Sequence, residues 1–172
     1  MKSARLIPAL LLALVFASCG YRFQTDSGSR FADPSLRVDL RPFSNASVVP
    51  DAGALLAGQL RDEFRRAGFR GDYERMGADY VVEGHVKEIR EDVVSHSADG
   101  FALEHRLTLV VNLRVAQAVQ GRLLWKEEGL TESASYFAGA DFQYTESNRR
   151  AAIEEVCRRM ARRISQTVRI VL

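Results

Sequence analysis

Two pairs of arginines near the end of the chain are the residues best suited to bind a ligand. They recur four residues apart within an amphipathic segment, and they are Arg158, Arg159, Arg162 and Arg163. The planar guanidinium fork of arginine pairs well with phosphate and carboxylate groups. The same spacing is also typical of the solvated face of a helix. The pattern therefore leaves two interpretations open, an anion-binding patch and a plain solvent-facing surface.

A second residue with its own chemistry is Cys19, which closely follows an apolar run near the start of the chain. Lys2 and Arg5 provide positive charge, and residues 6–16 are apolar apart from one proline. This run is shorter than the roughly 20 residues that a membrane-spanning helix needs. It has the size of the apolar region of a secretory signal peptide. We therefore expect residues 1–18 to be a signal peptide.

The residues that end at this cysteine, Phe16-Ala17-Ser18-Cys19, resemble the lipobox of bacterial lipoproteins. The resemblance implies that Cys19 is acylated and begins the mature chain. Several acyl chains would hold the protein at a membrane almost irreversibly. In that family an aspartate after the cysteine often causes retention in the inner membrane, so Gly20 implies the outer membrane. The alternative is an ordinary signal peptide that leaves Cys19 as a free thiol.

The chain carries no motif of catalysis or cofactor binding. It has no phosphate-binding loop, no G-x-G-x-x-G, no G-x-S-x-G and no C-x-x-C. His85, His96 and His105 have no Glu-rich or Cys-rich pattern nearby, so a zinc site between strands is not favoured. Cys157 falls on an apolar helix face, which predicts a buried, inert thiol. We expect a protein that is not an enzyme, with no cofactor and no metal.

The charge balance of the chain bears on whether it binds nucleic acid. The chain has 24 basic and 22 acidic residues, and two of the basic ones, Lys2 and Arg5, lie in the expected signal peptide. The mature chain is then formally neutral, which argues against binding to nucleic acid. After the run at 6–16, no apolar segment of the sequence has the length of a membrane span.

Hydropathy patterns predict one domain over residues 36–172, which follows a tether at 19–35. Strict alternation predicts strands, and a 3.6-residue period predicts helices. The predicted strands are 36–43, 78–87, 101–115 and 123–136, with a short one at 69–73. Asp51 and Thr145 are the predicted N-terminal caps of two helices, and Gly68 is the predicted stop of the first. Residues 91–100 and 137–144 are predicted to be loops, and Gln120-Gly121 a hairpin turn.

The order β-α-β-β-β-α predicts an α+β fold, a two-layer sandwich with two helices on a mostly antiparallel or mixed sheet of about four strands. With both helices on one face, the other face meets water or a partner. Val81, Val110, Phe137 and Phe142 are then expected to be partly exposed. Gly84 inside a strand predicts a bulge or the close approach of another backbone.

Several stretches in this order resemble the LptE-type family of lipopolysaccharide-assembly lipoproteins. They are the start Cys19-Gly20-Tyr21-Arg22-Phe23, RPFSNAS at 41–47, LLAGQLRDEFRRAG at 55–68, ADYVVEGHV at 78–86 and GRLLWKEEGLTESASY at 121–136. The resemblance implies a lipid-anchored protein at the periplasmic face of the outer membrane. It would plug the β-barrel LptD, support its assembly and help deliver lipopolysaccharide to the outer leaflet.

No binding residue carries over from the family. On charge and exposure alone, we expect contacts with lipopolysaccharide or the barrel at the four helix arginines. The loops 45–49 and 95–100 are expected to contribute further contacts.

The stretch DLRPFSNAS at 39–47, followed by a helix and by ADYVVEGHV at 78–86, also resembles outer-membrane lipoproteins that activate peptidoglycan synthases, or that belong to curli-type secretion channels. Such a protein reaches far into the periplasm, whereas the tether between Cys19 and residue 36 has only 16 residues. A flexible tether of this length has a short reach, which favours the plug. A small periplasmic enzyme is the third hypothesis, and it would need a convergent polar site that the sequence does not offer.

Overall fold

The computed structural model describes residues 36–69, 77–139 and 141–172. Its strands are β1 (Val38–Leu40), β2 (Ser44–Asn45), β3 (Tyr80–His96), β4 (Ala102–Gln117) and β5 (Leu123–Phe137). Its helices are α1 (Ala52–Arg66) and α2 (Phe142–Val171). The predicted α+β class and the element order are confirmed, and the fifth strand is the two-residue β2. Neither helix is long and apolar enough to cross a membrane, within the described residues.

The five strands form one mixed sheet in the order β1-β3-β4-β5, with β2 also beside β3. β1 and β2 run parallel to β3, and α1 makes the crossover that parallel pairing requires. β3, β4 and β5 are consecutive antiparallel strands. β5 is therefore the outer strand on one side of the sheet.

The core lies between the sheet and the two helices, and the predicted periodicities identify it. Alternate residues of β4 from Leu107 to Val115 are buried, as the strand pattern predicts. The apolar stripe of α2 is buried along its whole length, at Ile153, Val156, Cys157, Met160, Ile164 and Val168. Burial of one such aliphatic side chain contributes about 1.5–3 kcal/mol.

The close approach predicted at Gly84 is made by an aromatic ring and not by a backbone. A Cβ atom at this position would lie 2.2 Å from Cε2 of Phe43. At the backbone of the same residue, a Cβ atom on Gly53 would lie 2.6 Å from the Phe43 carbonyl oxygen. Two glycines thus make room for the segment that leads into β2.

The predicted end of the first helix is confirmed. Gly68 has a φ of 85°, and the amide of Phe69 donates to the carbonyl of Phe64 at 3.0 Å. The amide of Gly68 donates to Arg65 at 3.2 Å, which completes a Schellman motif. Asp51 is the N-cap residue, although its side chain makes no capping hydrogen bond.

The predicted cap of the second helix at Thr145 is wrong. The N-cap is Asp141, whose carboxylate accepts from the amide of Gln143 at 3.0 Å. Residues 142–144, predicted to be loop, are therefore helical. The Thr145 hydroxyl instead accepts from the amide of Gly139, which ties the incoming loop to the first turn.

The predicted loop at 91–100 is wrong over 91–96, because β3 continues to His96. Backbone pairing with β4 persists there, with Glu91 opposite Leu107 and register shifts between Val86 and Glu88 and after Val93. These bulges break the alternation that would have marked the strand. The predicted short strand at 69–73 lies mostly outside the described residues.

The face of the sheet away from the helices exposes fewer apolar side chains than expected. Val81 and Val110 are each only 8% exposed, so the prediction of partial exposure is wrong for both. Each belongs to an inner strand and has a residue of a neighbouring strand on either side, as Val110 has Glu88 and Thr131, so these neighbours cover it. Phe137 and Phe142 are exposed, as expected.

Candidate functional site

The four arginines predicted to form one patch lie on α2 but point to two sides of it. Arg158 pairs with Glu155 on the same helix, and Arg162 reaches Glu63 on α1. Arg159 and Arg163 instead reach the backbone of β5. All four side chains are 44 to 57% exposed, so each keeps access to solvent. The structure brings them together in two groups.

On the α1 side, two guanidinium groups share one carboxylate. Nη1 of Arg66 lies 2.6 Å from Oε1 of Glu63, and Nε of Arg162 lies 3.6 Å from the same oxygen. Glu155 is shared in the same way by Arg158 and Arg159. Positive charge is therefore in excess on this surface.

We call Arg66, Arg158 and Arg162 the helix-layer patch. Arg66 is not predicted from the sequence as part of this surface, because the helical period shows which face of a helix is apolar but not which other helix lies beside it. The signal available was the doublet Arg65-Arg66 in the last turn of α1. Exposed ion pairs of this kind contribute at most about 1 kcal/mol each, so the patch is not needed for the fold.

On the β5 side, α2 places polar side chains along the outer edge of the sheet. Nη1 of Arg163 donates to the Thr131 carbonyl at 3.0 Å, and Nη1 of Arg159 donates to the Ser133 carbonyl at 3.2 Å. Arg163 also contacts Oε1 of Glu132 at 3.2 Å. These two arginines thus contact the backbone of an edge strand.

A half-buried polar network joins α2 to the three long strands. Both carboxylate oxygens of Glu91 are engaged: the Tyr136 hydroxyl donates to Oε1, and Nε of Arg149 donates to Oε2 at 3.1 Å. Nδ1 of His105 lies 3.1 Å from Oε1, and the His105 and Tyr136 rings stack with centroids 5.1 Å apart.

Electrostatics within this network favour the ionised carboxylate. Burial alone would raise the pKa of Glu91, but hydrogen bonds from Tyr136 and Arg149 and the charge of Arg149 outweigh it and lower the pKa. Burial and the neighbouring Glu91 raise the pKa of Tyr136. The network was missed in the sequence because Glu91 was predicted to lie in a loop.

The histidines do not converge. His85 contacts the Ser44 hydroxyl at 2.8 Å and stands opposite Asn112, whereas His105 stands opposite Val93 far along the same ladder. Within the described ranges, no group of three or more His, Cys, Asp or Glu residues is arranged to hold a metal ion. Cys157 is buried, as predicted, and burial raises the pKa of its thiol to about 12.

The two loops expected to make contacts differ in their internal hydrogen bonds and in the side chains that they expose. The side chain of Asn45 braces the first, donating to the carbonyls of Val49 and Pro50 and accepting from Ser47. The second is reduced to a turn at 97–100 at one end of the sheet. Several exposed apolar side chains gather at this end, which we call the apolar tip: Val93, Val94, Phe101, Leu103, Phe137, Phe142 and Tyr144.

A protein-family model, described as LptE, Lipopolysaccharide-assembly, matches residues 36–168. The match includes every strand, α1 and nearly all of α2.

Solved structures share the fold. The rare lipoprotein B from Shewanella oneidensis is 17% identical, with a TM-score of 0.57 over 77% of this chain and 92% of that one. The minor lipoprotein from Acinetobacter baumannii is 20% identical, with a TM-score of 0.54 over 78% of this chain and 90% of that one. At such identities the similarity concerns the fold alone.

Among curated proteins, the Holliday junction branch migration complex subunit RuvB of Helicobacter pylori (strain J99) is 27% identical over 128 residues. That alignment covers 74% of this chain but only 38% of RuvB. The chain thus spans well under half the length of this curated relative.

Proposed function

The chain belongs to the LptE family of lipopolysaccharide-assembly proteins, and we propose that it is an outer-membrane lipoprotein that plugs an LptD-type β-barrel. In this role it helps to assemble the barrel and to deliver lipopolysaccharide to the outer leaflet. The observation that carries the proposal is the family match over residues 36–168, which spans the whole sheet. The function is one of binding and support rather than catalysis.

The open face of the sheet supports the role of a plug. The lumen of an outer-membrane barrel is polar, so a plug needs a polar surface wherever it meets the wall. Arg41 and Arg114 both pair with Glu83 on this face, and Arg90 pairs with Glu88 and Asp92. The face of the sheet away from the helices is thus covered by charged side chains, which suits contact with a polar barrel wall.

Attachment to the membrane is assigned to Cys19, which lies outside the described residues. An acylated Cys19 followed by a tether at 19–35 holds the domain close to the periplasmic face of the outer membrane. The short tether suits a partner embedded in the same membrane.

Contact with the phosphates of lipopolysaccharide is assigned to the helix-layer patch. Of the four arginines expected to contact an anion, Arg158 and Arg162 share this surface with Arg66, where positive charge is in excess. Arg159 and Arg163 are engaged with β5 and are weaker candidates. The apolar tip and the loop 45–49 are further contact regions for the barrel.

A pull-down of the tagged protein from detergent-extracted outer membranes tests the proposal. The eluate is run on a gel with and without boiling, because folded β-barrels migrate differently before heating. We expect one large, heat-modifiable partner. If a soluble peptidoglycan synthase is recovered in its place, or no partner at all, the proposal that the chain plugs a β-barrel is wrong.

A further inference from the structure

The outer edge of β5 presents backbone groups that no strand pairs with. The amide of Ala138 donates to the carbonyl of Leu103 at 2.9 Å, which sets the phase of the β4–β5 ladder. Hydrogen-bonded and non-hydrogen-bonded pairs alternate in an antiparallel ladder. The odd-numbered residues from Thr131 to Phe137 therefore direct their amide and carbonyl groups away from β4.

Side chains of α2 occupy three of these four outward carbonyls. Arg163 holds that of Thr131, Arg159 holds that of Ser133, and Nδ2 of Asn148 holds that of Phe137 at 2.9 Å. Glu132 and Glu155 keep the two guanidinium groups in place.

The β5 edge is the longer of the two edges of the sheet. On the opposite side of the sheet, the outer strands β1 and β2 have three and two residues, whereas β5 has 15. Long, flat, unpaired edges are templates for pairing with another chain. The stretch Thr131–Phe137 reads TESASYF, with one charge, and Arg163 neutralises it. Short segments with little charge and no proline are prone to such pairing.

We propose that Arg159 and Arg163 keep the β5 edge from pairing with the β5 edge of a second copy of this chain. Two identical strands can pair antiparallel about a two-fold axis, so one edge is complementary to itself. A guanidinium bound to an outward carbonyl blocks the hydrogen bond that the second strand would make. The inference rests on backbone geometry and stands whether or not the chain plugs a barrel.

Arg158 and Arg162 provide a matched control on the same helix. They are offset by one residue from the edge pair, and they contact Glu155 and Glu63 rather than β5. Replacing either pair by alanine removes the same charge and retains a strong helix former.

The test compares the full-length protein in detergent solution with Arg159→Ala/Arg163→Ala and Arg158→Ala/Arg162→Ala, using gel filtration with light scattering. We expect the edge variant to dimerise with a dissociation constant at least tenfold lower than that of the other two. An edge variant that stays monomeric, or a control variant that dimerises equally, would overturn the proposal.

Adding Ser135→Pro to the edge variant identifies the surface involved. The Ser135 amide points outward, so proline removes no bond of the β4–β5 ladder and is tolerated at an edge. We expect this third substitution to restore the monomer, and persistence of the dimer would refute the β5 edge as the site. If the alanine variant melts early, Arg159→Met/Arg163→Met keeps the aliphatic stems and gives the same comparison.

Discussion

The ring of Phe43 lies directly against the Cα atom of Gly84, where a Cβ atom would come within 2.2 Å of it. Gly84→Ala should therefore force the ring or the strand to move, at a cost of about 2 kcal/mol in the free energy of unfolding. Urea denaturation followed by circular dichroism measures this change. Gly58→Ala in α1 is the control, because nothing lies within 4 Å of its added methyl group. For Gly58→Ala we expect the free energy of unfolding to rise by about 0.5–1 kcal/mol. Equal losses of stability at both sites would contradict the close contact between Phe43 and Gly84.

Charge reversal of the helix-layer patch should weaken binding to lipopolysaccharide. Arg158→Glu/Arg162→Glu places two acids where Glu63 and Glu155 already lie, and we expect about a tenfold loss of affinity, or ~1.4 kcal/mol. Binding to purified lipopolysaccharide at low and high salt is the measurement. Arg122→Glu/Arg150→Glu makes the same change at two exposed positions outside the patch. Equal losses in both variants would indicate a general charge effect and no patch.

The carboxylate of Glu91 should stabilise the fold in a pH-dependent way. Glu91→Gln removes the charge that faces Arg149, and we expect a loss of about 1.5–3 kcal/mol near neutral pH. The pKa of Glu91 is lowered in the folded state. Its stabilisation is therefore complete above the ordinary value of 4.5 and is lost as the pH falls through the folded pKa.

The measurement for Glu91 is the difference in unfolding free energy between wild type and variant from pH 7 to pH 3. The difference should shrink in the acid range. A difference that is constant with pH would assign the effect of the substitution to packing and not to charge.

Removal of the proposed lipid site should release a folded protein. Cys19→Ala leaves every described residue unchanged, so its circular dichroism should match the wild type while the protein leaves the membrane fraction. Cys157→Ala serves as the control, since the other cysteine is buried in the core and should not affect anchoring. A Cys19→Ala protein still bound to membranes after a salt wash would count against the anchor.

The sequence patterns predict the elements with one buried face well. Every odd-numbered residue of β4 from Leu107 to Val115 is apolar and buried, and α2 repeats its apolar stripe at the helical period, so hydropathy alone locates both. β3 is underestimated because its register shifts fall where the strand also becomes polar. A pattern of period two cannot follow a strand across a bulge.

The candidate site could be predicted only in part, since periodicity shows which side chains leave a helix surface and not what they meet. Arg158 and Arg159 are adjacent in sequence and both pair with Glu155, yet only Arg159 also donates to the backbone of β5. Glu63 and Glu91 come from distant segments, so neither their pairing with α2 nor the network around Tyr136 is visible along the chain.

The parallel pairing of β1 with β3 has a mechanical consequence. If Cys19 anchors the protein, any pull between membrane and domain enters the fold at β1, which has three residues in register with Tyr80, Val81 and Val82. Tension applied there would first load the three-pair β1–β3 ladder and the two-pair β2–β3 ladder, which are far shorter than the β3–β4 and β4–β5 ladders. The two short N-terminal strands would then be the first part of the sheet to detach under force, before any of the three long strands separate.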